Sequence, residues 1–114
     1  MAISELYSGT EAVSTTEWSC TTDTAGPDAD TTDGVFQAFF DTSDMVAGDI
    51  LQLRAYEKCR SGDTQRIAYE AILSGPQTEA LFVMPSLVLL HGWDFTLKAI
   101  AGTITVLWSI RSVA

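Results

Sequence analysis

The first 49 residues contain no lysine or arginine, and the whole chain has no asparagine, one histidine (His91) and two cysteines (Cys20 and Cys59). Two cysteines cannot build a disulfide framework, and with no CxxC spacing they do not mark a metal site. Free, largely buried thiols are expected. A lone histidine without a Gly-x-Ser-x-Gly elbow gives no triad. His91-Gly92-Trp93-Asp94 reads instead as a strand end, a turn and a packed ring. No glycine-rich phosphate loop occurs, and Gly26-Pro27 reads as an ordinary turn. No carboxylate pair stands out among the fifteen acids. Neither an enzyme nor a cofactor is expected. Runs of ~18 apolar residues, as a membrane span requires, are missing. The richest stretch, Ala80–Leu90, is split by Pro85 and Ser86 and reads as two buried strands. Met1-Ala2-Ile3-Ser4-Glu5 lacks the basic and apolar regions of an export signal, so export is not expected.

Fifteen acids against six bases give a net charge of -9. Ten of those acids (Glu5, Glu11, Glu17, Asp23, Asp28, Asp30, Asp33, Asp41, Asp44 and Asp49) precede the first base, Arg54. Phosphate backbones demand clustered cations, so neither nucleic acid nor an anionic membrane is an expected partner. The acidic half reads as a solvated face.

What the chain does have is apolar substance, 46% of its 114 residues, enough for a single domain over 1–114 with one core. Gly, Pro, Thr, Ser and Asp interrupt it roughly every eight to twelve residues, between runs of Val, Ile, Thr, Phe, Tyr and Trp. Strands are predicted near 4–8, 12–21, 35–41, 50–58, 64–73, 80–84, 87–91, 94–101 and 104–113. About eight or nine short antiparallel strands suit an all-β, two-sheet β-sandwich. A jelly-roll order is expected, because late strands pair in hairpins while a long loop, 22–34, separates earlier ones.

Two hairpins are predicted at residue level. Gly102-Thr103 suits a two-residue turn. It would pair Ala101 with Ile104, Ala99 with Val106, Leu97 with Trp108 and Phe95 with Ile110 on an apolar face. The other face would carry Thr96, Lys98, Thr105, Ser109 and Arg111, with Asp94 across from Arg111. A five-residue turn, 59–63, would set Leu51, Leu53 and Ala55 inward beside Ile67, Tyr69, Ala71 and Leu73. Gln52, Arg54, Tyr56, Lys58, Arg66, Ala68 and Glu70 would then face outward.

Candidate sites are few. Asp28, Asp30 and Asp33 before Gly34 suggest a calcium loop, but the sixth position is Asp33 and the twelfth Phe39, which fails the EF-hand pattern. No metal site is expected, and the loop reads as a turn-rich surface. Trp18, Trp93, Trp108, Tyr56 and Tyr69 suggest a sugar platform, although Trp18, Trp108 and Tyr69 also suit a core. Outward Tyr56, with Arg54 and Arg66, is the predicted partner contact, since Tyr and Arg are enriched at contact centres.

The segments Glu5–Ser19, Asp33–Asp41, Tyr56–Arg66, His91–Asp94 and Trp108–Val113 together resemble small structural proteins of tailed bacteriophages. The resemblance covers most of the chain but carries no catalytic motif. It implies a virion component, a capsid decoration (cement) protein on the outer surface of the head. The implied partners are the major capsid protein and further copies of itself as a homotrimer, assembled in the bacterial cytoplasm. A tail, neck or baseplate component is the first alternative. A carbohydrate-binding module is the second, weakened by the absence of asparagine, a frequent sugar ligand.

Overall fold

Alternation along the chain sets the strands, because a strand buries every second residue when one sheet face meets the core. In the last strand Ile104, Val106, Trp108 and Ile110 are buried, while Thr105, Leu107 and Arg111 are exposed. The computed structural model describes residues 2–113, and among these there are ten strands and no helix. They are β1 (Ile3–Val13), β2 (Trp18–Ser19), β3 (Thr24–Ala25), β4 (Gly34–Asp41) and β5 (Ile50–Glu57). There follow β6 (Arg66–Ser74), β7 (Leu81–Val83), β8 (Leu87–Leu89), β9 (Asp94–Ala101) and β10 (Ile104–Val113).

The first sheet runs β1-β10-β4-β7, with β8 also on β4, and the second runs β3-β2-β9-β5-β6. All pairings are antiparallel. β7 and β8 lie along one edge of β4, opposite 39–41 and 34–36. Between them Pro85 has no N–H to give the ladder. There Met84 N–H still reaches the Ala38 carbonyl (3.0 Å), and the Gln37 amide holds the Met84 carbonyl (2.8 Å). Taken as one interrupted strand, β7/β8 nests against β4 as β1 does with β10, β2 with β9 and β5 with β6. The chain is thus one long folded hairpin wrapped across two sheets, the connectivity of a jelly roll.

This wrapping corrects the predicted terminal hairpin. The strand bounds and the buried faces of β9 and β10 are as predicted, but the strands belong to opposite sheets. Both edges of each are taken, β9 by β5 and β2, β10 by β1 and β4. Two apolar faces bury each other equally well side by side or face to face, so the turn residues could not separate these cases. Gly102, at φ 84°, carries the crossing, where a Cβ would sit 2.1 Å from Asp49 Oδ1. The expected Asp94–Arg111 pair is absent: Asp94 is buried in the second sheet, and Arg111 is exposed on the outside of the first.

In the β5–β6 hairpin Leu51 pairs with Leu73, Leu53 with Ala71 and Ala55 with Tyr69. A bulge then leaves Ala68 extra and puts Ile67 beside Tyr56, so Ile67 is 46% exposed and not in the core as predicted. The predicted 12–21 strand is broken after Val13, and the 22–34 loop contains β3 and a bridge from Asp30 to Trp93. The 80–90 strands, predicted to be buried, have exposed Leu81, Val83, Val88 and Leu90, because an edge strand covers only one of its faces.

Between the sheets Phe36, Phe40, Leu51, Leu53, Trp93, Phe95, Leu97, Trp108 and Ile110 form the core. Phe36 stacks near Trp93 with ring centres 4.4 Å apart. Trp108 lies against Gly9 of β1, its cross-strand partner, and its indole N–H reaches the Cys20 carbonyl at 3.0 Å. A Cβ on Gly9 would meet the ring at 2.5 Å.

Trp108→Ala should therefore cost about 3–5 kcal/mol by leaving a cavity, and Gly9→Ala about 1–3 kcal/mol by overpacking. Urea unfolding checks both; a Trp108→Ala protein of unchanged stability would contradict this packing.

Candidate partner interface

The predicted contact residues Arg54 and Tyr56 lie on the outer face of the second sheet, but that face is not free. Glu17, just before β2, reaches over it and accepts hydrogen bonds from Tyr56 OH (2.6 Å) and Thr96 Oγ1 (2.5 Å). Arg54 donates to Glu70 Oε2 (2.6 Å) and Tyr56 OH (3.2 Å). Tyr56 is only 7% exposed, and its hydroxyl is pushed above the ordinary value by burial and by the Glu17 bond. Tyr56 is thus closed into a polar network with little surface to offer, whereas the Arg54 side chain remains about 25% exposed. Arg66 is separated from them: it pairs with Glu57 across the ladder, is exposed, and walls a cleft of about 650 Å³ beneath the β5–β6 turn.

Asp94 is buried too, and its carboxylate takes Thr21 Oγ1 (2.9 Å), the Asp28 N–H (2.8 Å) and the Phe95 N–H (2.9 Å). Burial raises its pKa, and these donors pull it back. Hydroxyls and amides stand in for missing cations throughout this half. Of the ten acids in 1–49, eight (Glu5, Glu17, Asp23, Asp28, Asp30, Asp41, Asp44 and Asp49) accept hydrogen bonds from their own chain. The acidic half is thus stitched to Thr, Ser, Tyr, Trp and backbone N–H groups, and not merely solvated.

Asp28, Asp30 and Asp33 do not converge as ligands. Asp28 takes Thr22 Oγ1 (2.5 Å), and Asp30 takes Tyr7 OH and the Thr32 N–H (2.8 Å). Among the described residues no group of three His, Cys, Asp or Glu is placed to hold a metal ion. The backbone N–H of His91 is bound by the Glu57 carboxylate (3.2 Å). Cys20 is buried, with its thiol pushed well up by burial, whereas Cys59 is exposed and so departs from the expected pair of buried thiols. Of the proposed sugar platform, Trp93 and Trp108 are in the core and the Trp18 indole N–H is held by Asp23 (3.0 Å).

The surface that stands out is one the sequence reading passed over, the outer face of the first sheet. By register it sets Leu107 beside Asp41 and Thr10, Ser109 beside Phe39 and Ser8, and Val113 beside Val35 and Ile3. β7 and β8 extend it with Leu81 beside Asp41, Val83 beside Phe39 and Val88 beside Val35. Ile3, Leu81, Val83, Leu107 and Val113 are exposed, and Val88 is 81% exposed. Arg111 lies over the Phe39 ring (3.8 Å) and is steered by Ser109, which also bonds Glu5. A hollow of about 150 Å³ opens among Phe39, Asp41, Leu81, Leu107 and Arg111. The signal lay in the strand parity: Phe39, Leu107 and Val113 fall at outward positions, where a solvated face would carry polar residues. Contiguous apolar faces of this kind mark contact sites.

No protein-family model, no curated protein and no solved structure matches this chain.

Two outcomes follow from this geometry. Tyr7, partly buried against Trp93 and bonded to Asp30, has its pKa pushed up to about 12, by burial first and then by Asp30. A raised pKa stabilises the fold below the unfolded value near 10 and loses that contribution as pH rises through about 12. Alkaline absorbance titration should show late tyrosine absorbance from Tyr7 and Tyr56, and Tyr7→Phe should remove the part near 12; a Tyr7 that titrates near 10 would contradict the Asp30 contact. Calcium and a chelator should leave the thermal midpoint within about 1 °C, since only a ligand of the folded state raises it; a rise of several degrees would reveal a site.

Proposed function

We propose that this protein is a non-enzymatic structural component of a tailed-bacteriophage virion. In this reading it is a capsid decoration (cement) protein that docks on the outer surface of the head as a homotrimer. The carrying observation is the apolar outer face of the first sheet, from Ile3 through Leu107 and Phe39 to Val88, left open on a small jelly roll. Such a face is unfavourable in water, and burying each large aliphatic side chain gains about 1.5–3 kcal/mol before the cost of association. The Arg111–Phe39 stack puts a cation and a ring near the middle of this face, types enriched at contact centres.

The rest of the reading draws on charge and on the resemblance. A net charge of -9 disfavours contact with packaged DNA and favours the outer side of a shell. The major capsid protein is the proposed partner. A symmetric trimer would let three modest contacts act together. The carbohydrate-binding alternative loses three of its five rings, because Trp93, Trp108 and Tyr56 are buried. A tail, neck or baseplate role would use the same apolar face.

Two measurements test this reading. Val83→Glu and Leu107→Glu, at exposed outward positions, should fold within about 0.5 kcal/mol of the parent and lose attachment to heads, while Lys98→Glu on the second sheet should attach normally. Quantitative mass spectrometry of purified particles should count on the order of hundreds of copies; about six to twelve would indicate the ring symmetry of a tail or neck. Absence from particles would end the virion reading.

A further inference from the structure

The cleft beneath the β5–β6 turn stands apart from the rest of this acidic molecule. Its lining brings together Lys58, Arg60 and Arg66, three of the chain's six cationic side chains. The two acids that also line it are already engaged. Glu57 takes the backbone N–H groups of Lys58 (2.8 Å), Leu90 (2.6 Å) and His91 (3.2 Å). Asp63 takes Arg60 through both oxygens, at 3.0 and 3.2 Å. Among the described residues, Lys58 and Arg66 form no ion pair. With Asp63 paired to Arg60 and the Glu57 oxygens occupied by backbone N–H groups, three cations against two acids leave a net positive lining in which an anion is favoured, although the whole chain is negative.

The cleft is also held in shape. The Arg60–Asp63 fork and the bond from Asp63 N–H to the Arg60 carbonyl (3.0 Å) brace the turn. Gln65 Nε2 ties its far side to the carbonyls of Asp28 (2.7 Å) and Gly92 (2.9 Å). Lys58 lays its aliphatic stem along Gly92, where a Cβ would come within 3.0 Å of Cε. A site fixed before binding loses less freedom when it is filled.

The cleft opens at the start of β6, the outermost strand of the second sheet, where Arg66, Ile67 and Ala68 are exposed. An open edge accepts an extended segment through main-chain hydrogen bonds, and side-chain pockets then choose the segment. The other edges fit an acidic strand poorly. β1 carries Glu5 and Glu11, β3 has two residues, and β7/β8 is broken at Pro85. A long polyanion such as DNA would meet the field of the whole molecule, whereas a short segment meets the local one.

We infer that this cleft and the edge of β6 bind an extended, carboxylate-bearing segment of a partner protein, whose acidic side chains pair with Lys58 and Arg66. The site is separate from the apolar face of the first sheet and does not depend on the virion reading.

The test uses the full chain and a capped peptide of about ten residues alternating Glu and Val, with a Lys-for-Glu peptide, inorganic phosphate and a short DNA duplex as further probes. The Glu peptide should shift amide resonances of 58–68, slow alkylation of exposed Cys59, and bind less tightly as salt rises. Lys58→Gln with Arg66→Gln, which keeps the side-chain stems, should weaken it about tenfold or more, while Lys98→Gln should not. Failure of the Glu peptide to bind, or binding that the double variant leaves unchanged, overturns the inference. So does equal binding of the Lys peptide. Occupancy of the cleft by phosphate or DNA but not by the Glu peptide would make it a phosphate site and overturn the inference equally.

Discussion

The indole of Trp108 joins what the rest of the fold depends on. It rises from β10 in the first sheet, rests on the bare backbone of Gly9 in β1, and donates to the Cys20 carbonyl just past β2. One side chain thus fixes the pairing of the first and last strands and the spacing between the sheets. β2 in turn pairs β9, so the same contact sets the approach of the two central strands. The nested order follows, since β10 and β9 each have one neighbour fixed in this way, β1 and β2, and the middle of the chain supplies the other, β4 and β5.

Strand positions and the inward set were legible because alternation is local: Ile104, Val106, Trp108 and Ile110 read as one face, and that face is buried. The inward phase of Leu51, Leu53 and Ala55 was legible for the same reason. Which strand sits beside which was not legible between β9 and β10, because equal apolar faces satisfy adjacency and opposition alike. Tyr56 failed differently. Its outward parity was right, but a face turned from the core can still be covered by the chain's own loop, and the signal was only Glu17 placed to meet Tyr56 and Thr96. Leu107 and Phe39 were passed over, because the outer face was read from its polar members, Thr105, Ser109 and Arg111, and not from the apolar residues that share their parity.

The two faces of this sandwich therefore divide the work between polar closure and apolar openness. The second sheet turns its outer side into a network in which Glu17, Arg54, Tyr56, Thr96 and Asp94 satisfy one another and nearby hydroxyls. Buried polar groups are tolerable only when satisfied in this way, and among the described residues no buried side-chain nitrogen or oxygen lacks a partner. The first sheet has no such cover. Its outer side presents aliphatic residues around one arginine stacked on a ring.

The break at Pro85 has a bearing on how such a molecule behaves in a crowded cell. A regular edge of paired amides templates fibres, and concentrated β-proteins survive by spoiling their edges. Here one border of the apolar sheet is cut by a proline and the other is bent by a bulge between Glu5 and Tyr7. First sheets of neighbouring molecules are thereby hindered from joining edge to edge, so contact through the broad apolar face is favoured over open-ended strand pairing.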